Sequence, residues 1–514
     1  MASIANKGDT NKTVGDPNAE YQSLKGLWDR NKAVISGERF VKDFDEAVSY
    51  TNILTPFSPS MTQAQYDIFK SEAELPQISS QFVKLLVGGL LRKTPILELP
   101  EEVPAEASEW ILNQFGKDDA SLVSVLDEAL YEEMVSSRAF MFIDYPSMTE
   151  AELSTMSAEE VKELKPYPIL RTGNEVINWN TGETSLGKAM LTMVAVKGYT
   201  EDFEKNEFHP TLRSTVWVHD LHEGYYRIRV YKVAIDEAAV PVIAGQVVED
   251  YRKGSPVMIL EDTIEDIAIA GERLTFIPAY PLNGSIEAKE PMLTPIVDKE
   301  IALYNKVSRR NHLLLGAATY TPYIMSDMTD DDFDKIVDSG LGSWFHIGEK
   351  DKADVLSTPT EALEDMDRAI ASGIEEIAKL GVRMLSPETV QSGVALELRN
   401  ATQSATLGTL NTKVSATMGK VIATMINWRY NLDISANDVE FELSADFNPS
   451  PIGVEYLRLS TEWYQLGLIS REVWLMILKN NDMVPADTDD EEMVAAINAD
   501  PLIGEKDDSE NYEK

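Results

Sequence analysis

Seven apolar residues between positions 407 and 428 constrain the fold most. Leu407, Leu410, Val414, Met418, Val421, Met425 and Trp428 recur every three or four residues, the spacing of one face of an α-helix. The pattern predicts a single helix over 394–428, roughly 50 Å long at about 1.5 Å per residue. Its other positions are rich in Ala, Thr, Ser and Gly, which permit close neighbours. A second stripe, Leu363, Met366, Ile370, Ile374, Ile377 and Met384, follows Thr358-Pro359-Thr360-Glu361. That tetrapeptide places Thr at the N-cap, Pro at the first helical position and Glu at the third. Together these stripes exceed what one small core needs, so part of them, Met418 and Ile374 included, is expected in seams between subunits.

Other segments read as follows. Residues 1–20 are polar and expected to be disordered. Helices are predicted over 21–100, broken at Pro56, Pro76 and Pro95, and over 121–137, where Leu122, Val125, Leu126, Ala129, Leu130 and Met134 share a face. Residues 139–144 (AFMFID) read as a buried strand ended by Tyr145-Pro146, and a helix is expected over 158–164. From 167 to 278 the signal is of strands. Tyr226, Ile228 and Val230 alternate, and Glu223-Gly224 makes a hairpin turn between 214–219 and 225–231. Helix returns at 295–315 and a short one at 329–339. A strand follows at 439–443, then helices at 454–466 and 471–480. The fold class is therefore α+β.

Nothing in the chain forms a catalytic set. With no cysteine among 514 residues, disulfides, thiol nucleophiles and zinc–thiolate sites are excluded, and a reducing compartment fits. Leu86-Val87-Gly88-Gly89-Leu90-Leu91-Arg92-Lys93-Thr94 lacks the glycine before lysine that a phosphate loop requires. His219-Asp220-Leu221-His222-Glu223 sits at a predicted hairpin end, with no third ligand at motif spacing. A calcium loop starting at Asp327 would need Gly where Asp332 stands and Glu where Asp338 stands. No enzyme, metal or cofactor is expected. No apolar run reaches the roughly 18 residues of a membrane helix. The formal net charge of −40 argues against a protein that grips nucleic acid, because phosphate contacts need Lys and Arg. It fits either simple solubility or an anionic surface that repels DNA.

From about residue 24 to 480 the chain resembles the portal proteins of tailed bacteriophages, through many loose matches in order. These begin with Trp28 through Gly37, the Tyr66 region, and Leu85-Leu86-Val87-Gly88 with Arg92-Lys93-Thr94-Pro95. Arg138-Ala139-Phe140 through Ile143-Asp144-Tyr145-Pro146 follow, then Lys165-Pro166-Tyr167 and Val176-Ile177-Asn178-Trp179. Later matches are Pro295 to Arg310, including Leu303-Tyr304-Asn305, then Phe345-His346-Ile347-Gly348, and Lys379-Leu380-Gly381 with Met384-Leu385. The proline-rich lead into the Pro295 block is reduced here to Pro291 and Pro295.

The resemblance implies a portal-like layout. An α+β wing would span 21–294, strand-rich at 167–278. The first stem helix would be 295–315, the clip 316–357, and a second, antiparallel stem helix 358–385. A tunnel loop at 386–393 would expose Ser386, Glu388, Thr389, Gln391 and Ser392 to the DNA channel. The long helix and strand would occupy 394–450, and a helical crown with an acidic tail 451–514. Arg309 and Arg310 could pair with Glu364, Asp365 and Asp367 between stem helices, in the same or a neighbouring subunit, and Phe333, Trp344 and Phe345 could contact clip partners. The family's function would make this chain one copy of a homo-oligomeric, dodecameric ring at the unique capsid vertex of the virion, assembled in the host cytoplasm. Double-stranded DNA would pass through without sequence-specific binding. Partners would be the terminase large subunit, a head–tail adaptor, and the major capsid and scaffolding proteins. Residues 327–376 hold 15 acidic and four basic side chains, suited to a wall that repels phosphate. Another virion structural protein, capsid or head-completion, and an enzyme of unknown class are the alternatives.

Overall fold

The computed structural model describes residues 14–47, 53–145, 164–184, 189–202, 211–233, 242–243, 246–247, 258–265, 267–269, 272–318, 321–325, 352–356, 361–385 and 393–443, with single positions 157, 187, 329, 331 and 334. All lie in the first of two compact units, Met1–Phe447; the second is Asn448–Lys514. The helices expected at 158–164, 329–339, 454–466 and 471–480 lie largely or wholly outside the described residues.

Caps and breaks set the first helices. Asn18 opens α1 (Ala19–Ser36), its side chain accepting from the Glu20 amide at 2.9 Å. The Asn18 amide also donates to Ile177 O at 2.9 Å. Disorder was thus expected too far along the chain: residues 14–20 are tied down by this cap and this bond. Gly37, at φ 109°, turns the chain straight into α2 (Glu38–Ala47). Thr62 and Gln65 close a reciprocal capping box on α3 (Gln63–Glu72). Then come α4 (Ile78–Leu90), β1 (Ile96–Glu98), α5 (Glu106–Asn113) and α6 (Leu122–Ser136).

Strand β2 (Ala139–Asp144) divides its side chains between two cores. Ala139, Met141 and Ile143 point into the helical core, while Phe140 and Phe142 point into a sheet-side core. The period of two along a strand allows this, and it explains a run that is apolar without alternation. β2 is the centre of a three-stranded antiparallel sheet with β3 (Tyr167–Thr172) and β13 (Ala279–Pro281). Between the two outer strands in sequence lie β4 (Val176–Glu183), β5 (Ala189–Asp202), β6 (Thr211–His222), β7 (Tyr225–Val233), β8 (Val242–Ile243), β9 (Gln246–Val247), β10 (Met258–Ile264), β11 (Ala268–Ile269) and β12 (Glu272–Arg273). Five of them form an antiparallel sheet ordered β10-β7-β6-β5-β4. The β6–β7 hairpin turns on Glu223 and Gly224, both at positive φ (53° and 88°), with His222 opposite Tyr225. Positive φ at both turn positions matches the strand twist.

The remaining elements are α7 (Thr294–Ala318), β14 (Thr321–Met325), β15 (Lys352–Leu356), α8 (Glu361–Leu385), α9 (Gly393–Tyr430) and β16 (Glu440–Glu442), which pairs with β1. The fold is thus mixed α+β. Among the described residues no helix is long and apolar enough to cross a membrane.

The long helix is where expectation and structure part. Leu407, Leu410, Val414, Met418, Val421 and Met425 are buried, but inside the chain's own helical core. Helices α4 and α6 supply Val83, Leu86, Leu126 and Leu130 to the same core. Met418 therefore does not lie in a seam between subunits. The stripe is consumed at home because the core of this unit is larger than a single small domain requires.

Candidate functional site: the two-helix stem

Helices α7 and α8 run antiparallel. Lys299 pairs with Glu376 at 2.7 Å, Lys306 Nζ reaches Ala369 O at 3.5 Å, and Arg310 pairs with Asp367 at 2.8 Å. Partner numbers fall as α7 advances, which only an antiparallel pair gives. The helices approach closely at Gly373, where an added Cβ would stand 3.2 Å from Leu303 Cδ1. At the far end of α7 the chain enters β14, which pairs antiparallel with β15 from Thr321 opposite Leu356 to Met325 opposite Lys352. Sequence reading ended this helix at residue 315. Instead α7 continues through Gly316 to Ala318, and Pro322 sits in a two-stranded ribbon, where an edge strand tolerates its missing N–H. The order is helix, ribbon, helix.

A row of polar contacts fixes α7 to the body. The Asn31 side chain donates to Thr294 Oγ1 at 3.0 Å, and Arg30 pairs with Asp298 at 2.5 Å. Asn305 Oδ1 accepts from the Thr55 amide and hydroxyl at 2.8 and 2.7 Å, while its Nδ2 donates to Ile53 O and Ile301 O. Deepest is Glu300, fully buried, whose two carboxylate oxygens accept from the Ile78 and Ser79 amides, each at 2.7 Å. Those amides open α4, whose own N-cap residue, Gln77, is left-handed and makes no side-chain cap. The stem helix supplies the missing cap from 222 and 221 residues away. A carboxylate there satisfies orphan donors and meets the positive end of the helix dipole.

No known protein family matches the sequence, and no curated protein does. Among solved structures, a chain from the virion of a native gene transfer agent particle matches at 10% identity. That match covers 81% of this chain and 93% of that one, at a TM-score of 0.38. The neck of the native particle, computed with C12 symmetry, matches at 10% identity over 78% and 89%, with a TM-score of 0.37. The neck of the empty particle, computed with C6 symmetry, matches at 9% identity over the same shares, also at 0.37. The structural neighbours are chains of gene transfer agent particles, the neck among them.

The stem residues singled out from the sequence are distributed as follows. Arg310 and Asp367 meet across the helix pair. Arg309 turns to the body, donating to Thr55 Oγ1 at 3.1 Å. Asp365 pairs with Arg368 on its own helix. Glu364 is exposed and makes no ion pair among the described residues. Phe333, Trp344 and Phe345, and the segment carrying Ser386, Glu388, Thr389, Gln391 and Ser392, lie outside the described residues. The latter bridges the end of α8 at Leu385 and the start of α9 at Gly393. Glu300 went unread as a cap, yet a signal existed: a carboxylate among Ile296, Val297, Leu303 and Tyr304, the buried face of α7.

His219 of the histidine-rich hairpin is half-buried, its Nδ1 2.7 Å from Tyr226 Oη and its ring stacked on Tyr226. His222 lies an odd number of residues along the same strand, hence on the other face. Among the described residues no three metal-ligating side chains cluster. Burial pushes the His219 imidazole down to about 3, Arg171 adding to the shift and Asp220 opposing it. The folded state therefore resists a proton that the unfolded chain accepts near its ordinary 6.5. Stability contributed by neutral His219 is complete above about pH 6.5 and is lost as pH falls towards 3. Between pH 7 and 5 the wild type is expected to lose about 2 kcal/mol more than His219→Gln. Urea melts at both pH values measure this, and equal losses would remove His219 as the cause.

Proposed function

We propose that this chain is a portal subunit of a tailed-phage-like particle. Copies of it form the ring at the capsid vertex through which the genome is packaged and ejected, and on which the terminase motor and a head–tail adaptor dock. The observation that carries the reading is the antiparallel stem: a body-anchored helix, a ribbon at its far end, a returning helix, and then the long α9 through the body core. The protein acts by assembly, not by catalysis. The ribbon and its connection, 316–357, form the clip, with Phe333, Trp344 and Phe345 meeting partners. Residues 386–393 form the tunnel loop, and Glu388 faces the channel. Exposed apolar side chains support association of copies through the stem. Ile374 on α8 is 48% exposed and Leu315 on α7 is 46% exposed, on helices whose opposite faces are already packed.

The test is the oligomeric state of the purified protein, by mass photometry and negative-stain imaging. The wild type is expected to form closed rings of about a dozen copies with a central hole. Ile374→Asp, at an exposed site, should change stability by no more than about 0.5 kcal/mol while shifting rings to monomers. Wild-type protein that stays monomeric at every concentration, or builds shells, overturns the proposal. Rings that persist with Ile374→Asp remove Ile374 from the seam, and a ring reconstruction with Glu388 far from the axis removes the tunnel loop.

A further inference from the structure

Asn283-Gly284 is the one Asn-Gly pair in the 514 residues, and it stands where β13 leads into α7. The chain turns there: the Gly284 amide donates to Pro281 O at 2.9 Å, and Gly284 takes φ 72°, a conformation that favours glycine. Asn283 ties the turn to the corner between α6 and β2. Its Nδ2 donates to Glu133 Oε1 at 2.7 Å and to Ser137 O at 2.8 Å, while its Oδ1 accepts from the Ser285 amide at 2.8 Å. Glu133, 3% exposed, also accepts from the Ala139 amide through Oε2 at 3.0 Å. The same corner holds the chain further on towards the stem. Ser137 Oγ accepts from the Met292 amide at 3.2 Å, and Arg138 donates to Ile286 O at 2.9 Å. Gly284 itself is exposed, with nothing within 4 Å of where a Cβ would stand.

We infer that Asn283 is a deamidation site that the fold keeps closed, and that its reaction loosens the lead into the stem. The inference goes beyond the portal reading and concerns this chain alone. In the reaction the Gly284 nitrogen gives its proton to water and attacks Asn283 Cγ. The new N–C bond closes a five-membered succinimide, the Cγ–Nδ2 bond breaks, and Nδ2 leaves as ammonia. Water then opens the ring at either carbonyl, leaving aspartate or isoaspartate at position 283. Glycine next in the chain puts no side chain in the way of that nitrogen. In the folded protein the attack is opposed at both ends. The Gly284 N–H is bound to Pro281 O, and the Asn283 carboxamide is held through both its nitrogen and its oxygen. Opening of the turn frees both groups together. The product cannot return to the same place, because a carboxylate has no N–H to offer. Its oxygens would face Glu133 Oε1 and Ser137 O, acceptor against acceptor, and polar groups left unpaired beside a buried side chain are costly. Turn and clasp both need the labile pair: the positive φ suits glycine, and the two acceptors need the carboxamide.

Peptide mapping of the full wild-type chain, aged at neutral pH either folded or in guanidinium chloride, tests the site and its gate. Unfolded, position 283 should gain the mass of deamidation faster than any other asparagine. Folded, the same gain should be slower by about tenfold or more, since the bonds must open first. Hydrogen exchange on Asn283→Asp, which carries the aspartate product from the start, reads the consequence. Protection of the Ser285 and Met292 amides should fall about tenfold, while that of α3 stays as in wild type. A position 283 that does not react fastest in the unfolded chain overturns the site. Equal rates in folded and unfolded protein overturn the gate, and this readout needs no variant that folds. An Asn283→Asp protein whose Ser285 and Met292 amides keep wild-type protection overturns the loosening. Ring formation plays no part in any of these readouts.

Discussion

Met418→Asp is expected to abolish the folded body. Met418 is fully buried within α9, in one core with Val414, Val421 and Ile422. An aspartate there either carries its charge into an apolar interior or takes up a proton and leaves a polar group among side chains with nothing to bond. Either route costs several kcal/mol, on top of the lost thioether packing, against a total stability on the order of 5–15 kcal/mol. Soluble yield and the urea midpoint measure the effect. Met418→Leu, nearly equal in volume, should stay within about 1.5 kcal/mol of wild type. A folded Met418→Asp protein with a wild-type midpoint would show that the α9 stripe does not lie in this core. The contrast with Ile374→Asp separates folding from assembly. One substitution strikes the interior of a single chain; the other strikes a face that the single chain leaves open.

What the sequence made legible follows from how local each signal is. Capped and periodic helices could be read from a few consecutive residues: α6 behind Ser121, α8 and α9 from their stripes. The β6–β7 hairpin could be read because its turn, Glu223-Gly224, lies between its own strands. The eight-residue α5 was missed because two turns give little periodicity. The pairing of β14 with β15 was missed because its partners lie 35 residues apart at their outer ends, with no short turn to announce it. Burial by parity in β2 could not be foreseen either, since an all-apolar run does not say which core each side chain enters. The same limit explains Arg309. Its charge suggested a partner on α8 of the same or a neighbouring copy; within the chain it meets Thr55, 254 residues away, a neighbour only the assembled fold supplies. Sequence reading placed α9 correctly and its burial wrongly for one reason: periodicity reports a face and is silent about what covers it.

Glu300 carries the second large effect, because two amides at the start of α4, one of them buried, depend on it. Glu300→Ala leaves the Ile78 and Ser79 N–H groups without an acceptor, and Ser79 is itself fully buried. Hydrogen bonds to a charged group contribute about 1.5–3 kcal/mol each, and stranded donors add their desolvation cost. The truncated side chain also leaves a void beside Val297 and Tyr304, which share its buried face. A loss of about 3–5 kcal/mol is expected, read as a lower urea midpoint. Glu300→Gln should lose less, because its carbonyl oxygen still accepts one bond while its NH2 faces the second amide. The loss should also be local before it is global. Amides in the first turn of α4 and at the start of α7 should exchange faster in Glu300→Ala, while the β5–β6 sheet keeps its protection. If Glu300→Ala melts within about 1 kcal/mol of wild type, the carboxylate is not the cap of α4. The attachment of the stem would then rest on the apolar face of α7 and on the contacts of Asn305, Asn31, Arg30 and Arg309.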